Sequence, residues 1–394
     1  MGAVRGTLMN EWLTVPEEGI LLGRLSYPGC TYPLVVTRRG ERLVDITAKA
    51  APTVRDICEM ADPAGYVASA EGRDVGSLAE IVKASHSVPR DPGKPALLAP
   101  VDLQAIKAAG VTFVVSLLER VIEEQARGDK AKADALRSDI TRLIGTDLSK
   151  LVPGSDEATA IKEALVARGV WSQYLEVGIG PDAEIFTKCQ PLSAVGEGAE
   201  VGLHPISTWN NPEPEIVVVV ASDGRVVGAT LGNDVNLRDV EGRSALLLGK
   251  AKDNNASASL GPFIRLFDES FSIEDVEAAE IELSVKGATD GFELSGSSSM
   301  SQISRSSASL VSAAMGRHHQ YPDGMVLYLG TMFAPVQDRD GAGQGFTHKI
   351  GDVVSIHTPT LGTLTNFVAL STECPPWTEG TSHLMRALSG AGLI

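Results

Sequence analysis

The sequence predicts an α+β fold that is mostly β, with a helical insertion and a small N-terminal domain. Three observations predict it. Short runs of Val, Ile and Leu bounded by Gly, Pro or Asp recur along most of the 394 residues, which is strand patterning. Between about 114 and 170 the spacing turns helical, with Val115, Leu118, Val121 and Ile122 on one face. The stretch 87–95 is rich in Pro and charge. It reads as a linker that separates a small α+β unit over 1–95 from a larger one over 96–394.

In the first unit, 20–25 and 33–37 read as strands. Arg39-Gly40 is a hairpin turn into a strand over 43–46, and Thr53 caps a short helix reaching Cys58. Residues 97–101 open the larger unit. The helical stretch from Thr112 breaks at Gly128-Asp129, resumes over 134–144, and returns over 156–168 to end near Gly169. Strands come back with the clean alternation of 279–285, then with 324–331, 351–356 and 364–370. The serine-rich stretch 297–309 reads as a mobile loop of low complexity, and 310–320 as a helix.

The chain is organised around 207–220, where Trp209-Asn210-Asn211-Pro212-Glu213-Pro214-Glu215 leads into Ile216 and four valines. In a strand, residues i and i+2 share a face, so Glu213 and Glu215 point the same way. The apolar run behind them belongs in a buried sheet. Two carboxylates side by side repel unless something neutralises them, and a divalent cation with oxygen ligands does so. Asp223-Gly224 is a hairpin signal. The returning segment ends in Asn233-Asp234, which brings Asp234 beside the pair. The plain alternative is an exposed acidic strand end with a solvated Asp.

Composition narrows the function classes. A formal net charge of -16 argues against nucleic acid or an anionic membrane as the main partner. Cys30, Cys58, Cys189 and Cys374 are scattered, with no Cys-x-x-Cys. They suggest neither a thiolate metal site nor a disulfide framework, and free thiols fit a reducing cytoplasm. Residues 1–18 carry no apolar h-region, so no export signal is expected, and the longest apolar run is too short to span a bilayer.

Glu213-Pro214-Glu215, Asn233-Asp234-Val235, Lys252 ten residues before Pro262, and Gly330-Thr331 occur in an order and spacing that resemble the fumarylacetoacetate hydrolase superfamily over about 97–377. The resemblance implies a mixed β-sandwich roll with a metal site at its mouth, and Mg²⁺ (or Mn²⁺ as substitute) held by Glu213, Glu215 and Asp234. It implies a 2-oxo acid substrate and a homodimer or homotetramer. Within the superfamily the chain is most similar to the sugar-acid dehydratases, which act on 2-keto-3-deoxy-pentonates. The phrases that carry this are 209–215, 236–244, Lys250-Ala251-Lys252-Asp253-Asn254-Asn255 and His319-Gln320-Tyr321-Pro322-Asp323-Gly324. The expected reaction is dehydration to 2,5-dioxopentanoate in pentose catabolism. An acylpyruvate-type hydrolase or a 2-oxo-acid decarboxylase on the same scaffold is the alternative. Ser116 stands where hydrolases of the superfamily carry a water-activating His, and an unassisted serine is a poor base.

The resemblance makes Lys252 the base at C3. Its plain alternative is a lysine paired with an acid. It matches Glu184 to an upstream glutamate placed to act on the departing hydroxyl, with an ion pair to Lys188 as the alternative. Gly330 and the Thr331 hydroxyl are candidates to hold the substrate carboxylate, or form a plain turn. Phe113 walls the pocket or fills core. Arg238 grips a carboxylate or bridges Asp234 and Asp239. His319 and His348 are polar candidates without local support.

Overall fold

The computed structural model describes residues 12, 14–110, 112–113, 151–167, 169, 171–333, 335, 337–342 and 344–394. The helix expected over 114–144, its break at Gly128-Asp129 and Ser116 lie outside the described residues. The strands are β1 Leu21–Ser26, β2 Leu34–Arg39, β3 Arg42–Asp45, β4 Arg73–Ser77, β5 Ala96–Leu98, β6 Ala105–Ala109, β7 Ile185–Cys189 and β8 Glu200–Leu203. They continue with β9 Pro214–Val220, β10 Val226–Asp234, β11 Ala258–Leu266, β12 Glu280–Lys286, β13 Glu293–Ser299, β14 Met325–Tyr328, β15 Val353–Thr358 and β16 Gly362–Leu370.

One sheet runs β4-β3-β2-β1-β11-β10-β9-β14-β6-β7, with β5 paired to β1; the other runs β13-β12-β15-β16-β8. β9 lies mid-sheet between antiparallel β10 and β14 and is buried along its whole length. Ile216, Val218 and Val220 pack with Ile281, Leu283, Val354 and Ile356 of the second sheet. Val217 and Val219 face the other way, onto Val54, Ile57 and Val67 beneath the first sheet. With both faces covered, the strand must be continuously apolar. The period of two then places Glu213 and Glu215 on the face of Val217 and Val219.

Most of the expected strands form. The Arg39-Gly40 turn joins β2 to β3, and Gly224, at φ +91°, closes the β9–β10 hairpin. Thr53 caps the helix Val54–Cys58 in a capping box with Asp56. The N-terminal strands extend the large sheet through the β1–β11 pair.

Two expectations are corrected. The stretch 297–309 is ordered structure rather than a loop. Its serines finish β13, whose side chains face solvent on an edge strand paired to β12. Ser306 then caps the helix Ser307–Ala314, which starts earlier and ends sooner than the one expected over 310–320. Low complexity here reflects an exposed strand face and a helix cap, both of which suit serine. The helix expected over 156–168 spans Asp156–Val166, capped by Ser155. A second helix, Gln173–Ile179, follows it under the Ser172 cap.

His348 belongs to a buried network that holds the entry to β9. Its Nδ1 is 3.1 Å from Asp352 Oδ2, and Arg339 grips both oxygens of Asp352 at 2.6 and 2.8 Å. The loop so anchored takes hydrogen bonds from Trp209 (Nε1 to Phe346 O, 3.0 Å) and gives one to Asn210 (His348 N to its O, 3.3 Å). His319 is exposed and meets Tyr321 edge-on. Asp352→Ala strands a guanidinium whose side chain is 1% exposed. Asp290 remains beside it, so the expected loss is about 3 kcal/mol, the lower end for a broken buried pair. Urea denaturation measures it, and a loss below about 1 kcal/mol would show that the network does not hold this edge.

Candidate metal centre and active site

The β9–β10 register brings the carboxylates together. Asn233 lies opposite Pro214, and Asp234 N donates to Glu213 O at 3.0 Å. Glu213, Glu215 and Asp234 are 3%, 1% and 1% exposed. One oxygen from each lies within 4.8 Å of the others. Three buried carboxylates converging this closely need compensating charge.

Part of it comes from two lysines. Lys252, in the short helix Leu248–Lys252, places Nζ 2.5 Å from Glu213 Oε2 and 3.0 Å from Asp234 Oδ2. Lys188 on β7 places Nζ 2.7 Å from Asp234 Oδ1 and also bonds the carbonyls of Val235 and Lys252. Lys188 therefore pairs with Asp234 rather than with Glu184, the alternative reading of Glu184. Glu184, Phe186 and Lys188 alternate along one face, and Lys188 is the deepest, fully buried. Two ammonium groups thus face three carboxylates, and three carboxylate oxygens within 4.8 Å of one another form a donor set that suits a hard divalent cation.

Gly330 serves Glu215. Its φ is +100°, a Cβ there would fall 2.1 Å from Thr112 Oγ1, and its N–H donates to Glu215 Oε2 at 2.7 Å. Thr331 is 8% exposed, lines the cavity at the carboxylates and donates its hydroxyl to Phe333 O. Glu184 lines the same cavity from the other side. Gly110 makes room for it, since a Cβ at 110 would lie 1.8 Å from Glu184 Oε2. Phe186 stands 5.8 Å from Lys252 Nζ.

Two candidates lie away from this cavity. Phe113 is 2% exposed and packs in the core between the sheets. Arg238 lies 4.6 Å over the Trp209 ring, while Asp239 accepts from Ser207 and Thr208.

Glu241 is a site residue that the sequence reading passed over. It lines the cavity, and it shares the Asn236 Nδ2 donor (2.5 Å) with Glu213 Oε1 (3.0 Å). No period-two or helical signal marks it, because it sits in a four-residue helix, Arg238–Glu241. About 20 Å³ is open beside the carboxylates, room for one ion or water. A second cavity of about 200 Å³ shares Glu184, Glu241 and Leu248 with it and is closed by Gln173, Tyr174, Val177 and Ala245.

Burial, then the Asp234 and Glu213 charges, push the Glu215 carboxyl well above the ordinary carboxylate range, against the pull of Lys252 and the Gly330 N–H. Burial pulls the Lys252 ammonium down, but the charges of Asp234, Glu213 and Glu241 outweigh it and hold the proton on.

The family model described as fumarylacetoacetate (FAA) hydrolase C-terminal matches residues 179–369. A Haloferax volcanii protein named "Probable 2-keto-3-deoxyxylonate dehydratase" is 30% identical over 271 residues, 68% of this chain and 73% of its own length. The chain belongs to the fumarylacetoacetate hydrolase family. The 2-dehydro-3-deoxy-D-arabinonate dehydratase of Saccharolobus solfataricus is 31% identical over 181 residues, 46% of this chain and 57% of that one. In fold, the chain is similar to a 2-keto-3-deoxy-D-arabinonate dehydratase solved with magnesium and 2,5-dioxopentanoate. The TM-score is 0.59 at 20% identity, covering 89% of this chain and 99% of that one. It is also similar to the fumarylacetoacetate hydrolase of Exiguobacterium antarcticum, with TM-score 0.53 at 14% identity and the same coverage. Among the described residues, no helix is long and apolar enough to cross a membrane.

The raised Glu215 carboxyl sets a pH dependence for this family site. Between the ordinary carboxylate pKa and the folded value, Glu215 keeps in the metal-free fold a proton that the unfolded chain has lost. Over that window the metal-free protein loses stability as pH rises. A cation held by Glu215 would displace the same proton, so its affinity is expected to rise with pH by up to about tenfold per unit for each proton released, that of Glu215 and any that Lys252 gives up. Calorimetry in buffers of different ionisation enthalpy reads the proton count. Affinity flat across the window would mean that Glu215 is already ionised.

Proposed function

We propose that this protein is a Mg²⁺-dependent hydro-lyase that dehydrates a 2-keto-3-deoxy-pentonate to 2,5-dioxopentanoate. The observation that carries the reading is the placement of Lys252 Nζ at the Glu213/Asp234 carboxylates, with Glu184 lining the same cavity. The names of the Haloferax and Saccharolobus relatives support it, as does the fold neighbour bound to that product.

Glu213, Glu215 and Asp234 would hold the cation. When bound, it polarises the 2-keto group, acidifies the C3 protons and takes up carboxylate charge that otherwise holds the Lys252 proton. Lys252 then removes a C3 proton. Glu184 protonates the departing C4 hydroxyl. Thr331 lies where it can orient the substrate carboxylate. Lys188 binds no substrate; it fixes Asp234 and, through the Lys252 carbonyl, the end of the helix that carries the base. Asp234 faces two buried lysines, so its removal endangers the fold, and Glu215→Gln is the better metal-site variant. By resemblance the protein is a homodimer or homotetramer, a part of the proposal that light scattering reads.

The test is proton NMR with racemic 2-keto-3-deoxy-pentonate and Mg²⁺ in D₂O. The expected product is 2,5-dioxopentanoate, lost with EDTA. Lys252→Met should abolish both product and C3 exchange. Glu184→Gln should lower product about 10²–10⁴-fold yet leave C3 exchange. Wild-type exchange in Lys252→Met would remove lysine as the base. Pyruvate released from an acylpyruvate, with no turnover of the sugar acid, would move the reading to the hydrolases.

A further inference from the structure

Dehydration at C3–C4 gives 5-hydroxy-2-oxopent-3-enoate, which is an isomer of the 2,5-dioxo product and not yet that product. The C5 carbinol must still lose a proton, and this happens two carbons farther from the keto acid than the first deprotonation. Lys252 has by then taken the C3 proton and cannot take another. The C5 proton therefore needs a carboxylate base beyond Lys252 along the substrate chain, either Glu184, left ionised by the elimination, or a second one.

We propose that Glu241 is that second carboxylate, a catalytic base acting at C5. Three observations place it. The space at the carboxylates, about 20 Å³, admits little more than an ion, so a five-carbon chain must extend into the adjoining cavity of about 200 Å³. Glu241 lines both spaces, as does Glu184, so both carboxylates stand at the junction that C4 and C5 would cross. Asn236 holds Glu241 at 2.5 Å and Glu213 at 3.0 Å through one amide nitrogen, which ties the distal carboxylate to the metal-binding edge.

The protons balance. In the elimination Lys252 takes a C3 proton, C3=C4 forms, C4–O breaks, and Glu184 supplies the proton that makes water. Glu241 then takes a C5 proton, and the electron pair shifts to form C4=C5 and a C2=C3 enolate. Lys252 returns its proton to C3. In the last step Glu241 protonates C4, and the C5 hydroxyl gives its proton to Glu184, leaving the aldehyde. Lys252 ends neutral, Glu241 ionised and Glu184 protonated, as at the start. Water is the sole leaving group and no co-reactant is needed.

This inference rests on the dehydratase reading, and the experiment separates the two. Wild type, Glu241→Gln and Glu241→Asp are incubated with the substrate and Mg²⁺ in D₂O, with the enone followed by ultraviolet absorbance and the aldehyde by NMR. Magnesium affinity is measured by calorimetry for each. Gln keeps an oxygen for the Asn236 donor but cannot take a proton. Glu241→Gln should bind Mg²⁺ as wild type does and retain C3 exchange. It should accumulate the enone while aldehyde formation falls about 10²–10⁴-fold, and Glu241→Asp should restore part of it. Aldehyde at the wild-type rate from Glu241→Gln overturns the proposal. So does joint loss of Mg²⁺ binding and C3 exchange, which would make Glu241 a positioning residue. Wild type that forms neither enone nor aldehyde defeats the dehydratase reading itself.

Discussion

Everything about the site follows from placing three carboxylates out of water at the end of a strand buried along its whole length. Isolated charges in such surroundings cost several kcal/mol each, so each element nearby carries a compensating group. β7 sends in Lys188, the helix Leu248–Lys252 sends in Lys252, and the turn after β14 offers the Gly330 N–H. The compensation is incomplete for Glu215, which is held up towards its neutral form. A divalent cation held there would complete it, and stability given up in such a cluster is the usual exchange for function.

The same arrangement explains why two lysines near one aspartate have different parts. Lys188 is sealed and tied to two backbone carbonyls, so it holds geometry. Lys252 lines the cavity and answers only to carboxylates. Its proton is secured by charges that a cation would share, so in the proposed mechanism this side chain would be a counter-ion without the ion and a base with it. Along the cavity the titratable groups follow in order, Lys252 at the carboxylates and then Glu184 and Glu241, which line the larger space as well.

The sequence by itself determined the local parts. The period of two set Glu213 and Glu215 on one face, the Asp-Gly turn returned Asp234 to them, and the unbroken Ile216–Val220 run announced a strand buried on both sides. These are consequences of backbone geometry within one hairpin, so no distant residue was needed to read them. The family resemblance then carried Lys252, Glu184 and Gly330-Thr331 to the same place, and the structure sets Lys252, Glu184 and Thr331 around one cavity, with Gly330 bonded to a carboxylate in its wall.

Only the tertiary structure decided which partners meet across the sheet and which cavities join. Lys188 looked like a local partner for Glu184, four residues away, but a strand puts such neighbours about 13 Å apart along the chain, and β7 delivers Lys188 to Asp234 instead. Phe113 packs in the core and Arg238 lies over the Trp209 ring, contacts that no spacing reveals. Glu241 entered it from a single helical turn too short to leave a pattern. The physical reason is that burial energy is settled between segments far apart in sequence, while periodicity reports only on the segment that carries it.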